Sequence, residues 1–177
     1  PHQWIKNLLL LVPLLTAFRI FDLVAWMQFL PAFSAFSLAA SATYMVNDLW
    51  DLENDRRHPR KKFRPFASGR LPILQGIAVA AFLLAVALAL AISISLPFFL
   101  VLVTYLALTS AYSWVLKQYA LVDVVTLSVL YTLRIIAGSV DIGIAVSAWL
   151  LAFSVFIFLS LALVKRCAEL VAIAQSG

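Results

Sequence analysis

The sequence predicts an all-α protein, a polytopic bundle of helices embedded in a membrane. Of its 177 residues, 64% are hydrophobic and only 12% are charged, and the mean hydropathy is +1.03. Apolar runs of about 20 residues, long enough to cross the hydrocarbon core of a bilayer, recur along the whole chain. Soluble domains do not have this composition. We therefore predict a single transmembrane helical domain over residues 1–177.

Two helices are predicted in the first third of the chain. The first covers about 5–18, and it is short and contains Pro13. A polar turn separates it from a long second helix, about 22–56. That helix is predicted to end where His58 precedes Pro59, because the residue before a proline avoids the α region.

Four more helices are predicted after a basic loop. Pro72 and Pro97 each begin an apolar run, and proline suits the first turn of a helix. The predicted helices cover about 72–95, 97–117, 120–139 and 146–171. Their short linkers leave no room for a second domain. The first residue is not Met, and the last residues follow a predicted helix without completing a further structural element. We therefore expect a C-terminally truncated piece of a longer protein.

Basic residues gather on one side of the predicted bundle. If all six helices span the membrane, that side carries eleven of the thirteen Lys and Arg residues. They are Lys6, the seven bases of the 56–70 loop, Lys117, Lys165 and Arg166, whereas Arg19, Asp22 and Asp141 lie opposite. Because positive loops stay in the cytoplasm, we predict a multi-pass protein of the inner (plasma) membrane with its active site facing the cytoplasm. Because most of the bases lie within one loop and are not spread over a surface, they do not indicate a nucleic-acid-binding protein.

Three aspartates, Asp48, Asp51 and Asp55, follow the second apolar run. On a continuous helix their spacing places them on one face, with Glu53 on the other. A helix C-terminus disfavours anions, so solvation alone explains the cluster poorly. A hard divalent cation that carries a phosphorylated substrate would compensate the carboxylates. Asn47 could orient one aspartate or add a neutral oxygen ligand.

A polar stripe leads along the second helix to these aspartates. It consists of Ser34, Ser37, Ser41 and Tyr44. Packing of small residues between helices would explain the serines alone. Because the aspartates continue the same line, we expect the stripe to line a cavity that opens to the cytoplasm.

The basic loop after the aspartates has two possible roles. Attraction of anionic membrane lipids explains Arg57 and Arg60. For Lys62 and Arg64, which lie between two prolines, both this role and a phosphate clamp remain open. Lys61 belongs to the same cluster.

A weaker polar pattern marks the predicted fifth helix. Asp123 lies at its start, and Arg134 lies three turns deeper on the same face. A buried arginine in a span needs a partner, so both a structural pairing and a functional role remain open. Lys117 precedes this helix, and Lys165 and Arg166 end the sixth helix on the same side.

These motifs resemble the UbiA superfamily of intramembrane prenyltransferases. Asn47-Asp48-x-x-Asp51-x-x-x-Asp55 is similar to its first aspartate-rich motif. Four other strings resemble one branch, the decaprenyl-phosphate phosphoribosyltransferases. They are Pro1-His2-Gln3-Trp4-x-Lys6-Asn7, His58-Pro59-x-Lys61-x-x-Arg64-Pro65-x-Ala67-Ser68-Gly69, Tyr112-Ser113-x-x-Leu116-Lys117 with Asp123, and Lys165-Arg166 with Glu169-Leu170.

The resemblance implies nine spans around a central cavity, of which six are present here. It implies Mg²⁺ held by Asp48, Asp51 and Asp55, 5-phosphoribosyl diphosphate as donor, a polyprenyl phosphate as acceptor, and release of diphosphate. Together with the residue patterns above, it gives a predicted set of substrate-binding residues. That set is Tyr44, Asn47, Lys61, Lys62, Arg64, Tyr112, Lys117, Asp123, Arg134, Lys165 and Arg166.

One departure keeps a second enzyme class open. Most prenyltransferases of the superfamily carry a second Asp-x-x-x-Asp motif, but here Leu127 stands four residues after Asp123. The alternative is a prenyltransferase that joins a polyprenyl diphosphate to an aromatic or other small acceptor. An ion or metabolite transporter is the leading non-enzyme alternative, although the edge position of the acids counts against it. A membrane anchor or assembly subunit would need no magnesium.

Overall fold

The computed structural model describes residues 4–116, 120–145 and 147–176, and within these ranges it contains helices and turns but no strand. The prediction of an all-α bundle is confirmed. In chain order the elements are a 3₁₀ helix Trp4–Leu11, α1 Val12–Thr16, α2 Leu23–Trp50, α3 Leu52–Arg57, a second 3₁₀ helix Lys61–Phe63, α4 Ile73–Ile94, α5 Leu96–Trp114, α6 Ala120–Asp141 and α7 Ala148–Ser176.

Five of these helices are long and apolar enough to cross a membrane. They are α2, α4, α5, and the segments Val122–Asp141 of α6 and Ala148–Ala168 of α7. Large apolar side chains on their outer faces are exposed, such as Phe82 and Phe156. Such surfaces suit lipid rather than water. The chain is therefore an integral, multi-pass membrane protein.

The helix predicted over about 5–18 is present over residues 4–16, but most of it is not α-helical. This segment is an eight-residue 3₁₀ helix followed by the five-residue α1, and together they are too short to count as a membrane span. Pro13 lies in the first turn of α1, where its missing N–H costs no hydrogen bond.

Contacts with α2 and α6 hold the first segment in the bundle. The indole N–H of Trp4 donates to Ser41 Oγ at 3.1 Å. On the other side, Gly138 of α6 meets the backbone of Leu10, and a Cβ on Gly138 would lie 2.1 Å from the Leu10 carbonyl oxygen. A larger residue at position 138 would therefore push this segment away from α6.

Helix α2 is the central column of the bundle and packs against α4, α5, α6 and the first 3₁₀ helix. Its fully buried Ala35 and Ala39 allow neighbouring helices to approach closely. Phe36 makes an edge-to-face contact with Phe98 of α5, with ring centres 5.8 Å apart. At its start, Asp22 caps α2 by accepting a 2.9 Å hydrogen bond from the Val24 N–H.

The predicted continuous helix over 22–56 is interrupted at Asp51. This residue has φ −88° and ψ 10°, and it separates α2 from α3. Aspartate favours such positions because its side chain competes for backbone hydrogen bonds. Helix α3 then ends at His58, which is extended before Pro59 as predicted. The four later helices are confirmed, with ends shifted by a few residues. The helix predicted over about 97–117, for example, is α5 and ends at Trp114.

Candidate functional site

Two of the three predicted aspartates form a pair that an arginine bridges. Arg64 Nη1 donates to Asp48 Oδ1 at 2.9 Å and to Asp55 Oδ2 at 2.7 Å. The Asp55 side chain is only 2% exposed, so its charge needs a nearby partner. One guanidinium nitrogen thus joins a carboxylate at the end of α2 to a carboxylate on α3.

Asp51, the third predicted aspartate, lines a small recess at the end of α2. The recess is lined by Asn47, Trp50, Asp51, Ser113 and Trp114. The Asn47 amide donates to Ser113 Oγ at 2.9 Å. The helix on which the three carboxylates were expected to share one face is interrupted at Asp51, where the backbone leaves regular helical geometry.

The donor set of this region is that of a hard cation, since it offers carboxylate oxygens and one amide oxygen. In the described part of the chain, however, no three acidic, histidine or cysteine side chains lie close enough together to hold a metal ion. The cation between Asp48 and Asp55 is the Arg64 guanidinium. The donor atoms are of the kind that Mg²⁺ prefers, but the described geometry is that of a carboxylate pair bridged by an arginine.

The basic loop is positioned by Phe66, which is 4% exposed. Its ring lies against Gly76 of α4, where a Cβ would come within 2.1 Å of Phe66 Cε1. This anchor brings Arg64 to the aspartates. Lys61 and Lys62 lie on the second 3₁₀ helix with exposed side chains. Among the described residues, Arg64 forms ion pairs with these carboxylates and neither lysine does.

A cavity of about 100 Å³ lies between α2, α5 and α6 and holds several predicted residues. Its lining includes Tyr44, Asn47, Tyr112, Leu127 and Arg134. It also includes Lys6, Tyr105 and Tyr131. Tyr112 donates to Asp123 Oδ1 at 2.7 Å, so Asp123 is connected to the cavity through a lining side chain.

Arg134 makes the structural pairings that the sequence left open, whereas its functional role stays a prediction. It is 6% exposed, and its Nη1 donates to the Leu130 carbonyl at 2.7 Å. Its Nε donates to Asn7 Oδ1 at 3.0 Å and its Nη2 to Tyr105 Oη at 2.8 Å. The same guanidinium lines the cavity.

The serines of the predicted stripe mostly serve helix packing. Ser37 accepts a 3.1 Å hydrogen bond from Asn7, and Ser41 accepts one from Trp4. Ser34 is exposed and donates to the Leu30 carbonyl of its own helix. Of the four stripe residues, only Tyr44 lines the cavity described above.

Two other basic residues of the predicted site lie on α7. Lys165 is exposed and Arg166 is half-buried on α7, and neither is part of the cavity's lining. Lys117 lies outside the described residues.

Lys6 and Asn7 were part of the motif that carries the resemblance, but they were not among the predicted site residues. The Lys6 side chain lines the cavity, and the fully buried Asn7 accepts a hydrogen bond from Arg134. A lysine and an asparagine inside an otherwise apolar segment were the available signal.

A second, larger cavity of about 350 Å³ lies on the other side of α2, toward α4 and α5. Its walls are mainly apolar, and they include Val46, Leu84 and Leu106. Asn47 lines this cavity, the smaller one and the recess at Asp51. The Asn47 side chain therefore borders three spaces: the large apolar cavity, the smaller cavity lined by Lys6 and Arg134, and the recess at Asp51.

Residues 9–172 match the model of the UbiA prenyltransferase family. The chain is 41% identical to a decaprenyl-phosphate phosphoribosyltransferase of Mycobacterium tuberculosis, over 96% of this chain and 58% of that protein. It is also 41% identical to the nodulation protein NoeC of Azorhizobium caulinodans, over 100% of this chain and 57% of that protein. A Sinorhizobium fredii protein called y4nM is 46% identical over 95% of this chain and 33% of its own length. The chain thus spans about a third to three-fifths of these relatives, and it belongs to the UbiA prenyltransferase family.

Proposed function

We propose that this chain is part of a membrane-embedded transferase. The enzyme moves a phosphoribosyl group from 5-phosphoribosyl diphosphate to a polyprenyl phosphate and releases diphosphate. The observation that carries the proposal is the wall of the cavity at Leu127, where a prenyltransferase with two aspartate-rich motifs would place a second acid. The names of relatives at 37–41% identity support the same reaction.

In this proposal the bond between ribose C1 and the diphosphate oxygen breaks, and its electron pair leaves with diphosphate. An oxygen of the lipid phosphate forms the new bond to C1. The acceptor is already ionised at neutral pH, since the second pKa of a phosphate monoester is about 6. The reaction therefore needs no general base.

Asp48, Asp51, Asp55 and the Asn47 amide oxygen are the groups that would hold Mg²⁺. The ion would supply compensation for the negative charge that develops on the leaving diphosphate. Arg64 contributes a fixed positive charge at the same carboxylates. The bond from Asn47 to Ser113 fixes the amide that faces the aspartate recess.

Helix polarity and charge support a site on the cytoplasmic side. The basic loop of residues 56–70 lies at the same end of α2 as the aspartates. Cytoplasmic loops are those enriched in Lys and Arg. A donor made in the cytoplasm would then reach the aspartates without crossing the bilayer.

A comparison of two donors tests the proposal. Membranes that contain the full-length protein are given phosphoribosyl diphosphate with a polyprenyl phosphate, or a polyprenyl diphosphate with an aromatic acid. We expect release of diphosphate only from the first pair, and only with Mg²⁺ present. Release from the second pair alone would reject the proposal and favour the prenyltransferase.

A further inference from the structure

We infer that the large apolar cavity between α2, α4 and α5 holds one acyl chain of an anionic membrane phospholipid, whose headgroup lies against the basic loop of residues 56–70. The cavity lies on the other side of α2 from the smaller cavity, and the lipid takes no part in the proposed transfer reaction. Three features point to this occupant: the shape of the cavity, its depth in the membrane and the charge beside its mouth.

The cavity forms where α4 and α5 leave space between them. A single residue, Ser95, joins the two helices, and the buried side chains of α5 are confined to residues 98–105, near that junction. The cavity is lined instead by the first part of α4 and the second half of α5. Ala42 and Val46 of α2 form its floor. The result is a wedge that is closed at the Ser95 end and widens toward the basic loop.

The wedge is about as deep as one leaflet of a bilayer. On α4 its lining runs from Ile77 to Leu84, and on α5 from Leu106 to Trp114. At a rise of about 1.5 Å per residue these stretches are roughly 10–12 Å long, whereas half of the hydrocarbon core is about 15 Å thick. Ile77, Ala81 and Trp114 are exposed, so the wedge is open along one side. It therefore suits an acyl chain that lies parallel to the helices.

Two tryptophans indicate that the mouth of the cavity lies at the membrane surface. Trp50 ends α2 and Trp114 ends α5, and their rings are stacked with centres 5.8 Å apart. They are 72% and 52% exposed. Exposed tryptophans at the ends of spanning helices are typical of the boundary between hydrocarbon and headgroups. An acyl chain in the cavity would therefore lie in the hydrocarbon directly beneath its own headgroup.

The basic loop supplies charge that is complementary to an anionic headgroup. Arg57, Arg60 and Arg70 are exposed, and among the described residues they form no ion pair. Arg70 precedes the start of α4 by three residues, and Ile77 lines the cavity one turn into that helix. Bases in such a position attract anionic lipids. The headgroup contacts and the tryptophans thus lie at the same end of the cavity.

A bound acyl chain would also support the aspartate region, through Asn47. This side chain borders the large apolar cavity and the recess at Asp51. Its amide joins α2 to α5 through the 2.9 Å hydrogen bond to Ser113 Oγ. An acyl chain that fills the space between these helices restores the dispersion contacts that an empty space lacks. Binding of the lipid should therefore raise the melting temperature of the protein.

The test measures lipid retention by the full-length protein in detergent. The probe is palmitoyl-oleoyl phosphatidylglycerol, and phosphatidylcholine with the same chains is the neutral comparison. Native mass spectrometry counts the retained lipids, and thermal unfolding reports their effect on stability. The main variant is Ala81→Phe, which places a ring in the cavity from an exposed position. Its matched control is Ala89→Phe, the same change at an exposed alanine two turns further along α4 and outside the lining.

We expect the parent protein to retain one phosphatidylglycerol and to bind it more tightly than phosphatidylcholine. Ala81→Phe should weaken this binding about tenfold, the scale of an overpacked site, and should abolish the rise in melting temperature. Ala89→Phe should keep both. Arg70→Gln should weaken binding of phosphatidylglycerol about fivefold, the effect of one base at an anionic surface, and leave binding of phosphatidylcholine unchanged.

Equal retention of phosphatidylglycerol by Ala81→Phe and Ala89→Phe would overturn the inference, as would equal affinity of the parent for the two phospholipids. Displacement of the retained phosphatidylglycerol by an equimolar polyprenyl phosphate would also overturn it, because the cavity would then hold the substrate lipid. A phosphatidylglycerol with a photoreactive acyl chain needs no variant. Its crosslinks in the parent should map to Leu84 or Leu106, and crosslinks confined to α7 would contradict the site.

Discussion

Replacing Arg64 with alanine should destabilise the aspartate end of the bundle. One nitrogen of Arg64 lies 2.9 Å from Asp48 and 2.7 Å from Asp55, and the side chain of Asp55 is 2% exposed. Breaking a fully buried ion pair costs about 3–5 kcal/mol. Because the Arg64 side chain is 39% exposed, water recovers part of this loss. We expect the free energy of unfolding to fall by about 1–3 kcal/mol.

The assay measures the free energy of unfolding of the full-length protein in detergent, and it compares four proteins. They are the parent, Arg64→Ala, Arg64→Ala with Asp55→Asn, and Arg60→Ala. The double variant should recover part of the stability, because it removes the carboxylate that lost its partner. Arg60→Ala should have little effect, because that side chain is exposed and exposed charges contribute little to stability.

Magnesium gives this experiment a second readout. If Arg64 supplies the positive charge that a metal ion would otherwise supply, Mg²⁺ should raise the melting temperature of Arg64→Ala more than that of the parent. If Arg64→Ala is no less stable than Arg60→Ala, the arginine bridge contributes nothing to the stability of this end of the bundle.

Three further predictions concern activity and topology. Asp48→Asn should reduce the rate of phosphoribosyl transfer by roughly two orders of magnitude, the scale of losing one electrostatic stabiliser. Replacing the exposed Glu53 with Gln should reduce that rate only slightly, and equal losses in transfer assays would contradict the assigned roles. Leu127→Asp should raise the apparent KM for phosphoribosyl diphosphate, because it adds a negative charge to the cavity wall, and improved turnover of a prenyl diphosphate would favour the other enzyme class. Cysteines placed at Arg60 and Asp141 should react with impermeant reagents from opposite faces of the membrane, and labelling of both from outside would reject the orientation.

The spanning helices were predictable because the bilayer imposes their composition. Apolar runs of about 20 residues match the thickness of its hydrocarbon core, and Pro72 and Pro97 mark helix starts at which proline costs nothing. The same logic found the first segment but not its 3₁₀ geometry. Its length and 3₁₀ geometry depend on contacts with α2 and α6, such as the close approach of Leu10 to Gly138, which hydropathy does not capture.

The candidate site was predictable in its residue types and less so in its geometry. Helical spacing placed Asp48, Asp51 and Asp55 together, but it assumed regular dihedral angles through Asp51. The bridge by Arg64 depends on how Phe66 anchors the loop to α4, a contact between residues ten positions apart in sequence. Lys6 was missed for the same reason, because it approaches Tyr131 only after the first segment packs into the bundle.

The most direct test of the proposed reaction is transfer of labelled ribose into lipid. Membranes that contain the full-length protein are incubated with 5-phosphoribosyl diphosphate labelled in the ribose, a polyprenyl phosphate and Mg²⁺, and the lipid extract is analysed by mass spectrometry. We predict a labelled lipid heavier than the acceptor by one phosphoribosyl group, and almost none of it with Asp48→Asn. An extract without label, from a protein that instead prenylates an aromatic acceptor, would contradict the proposed reaction.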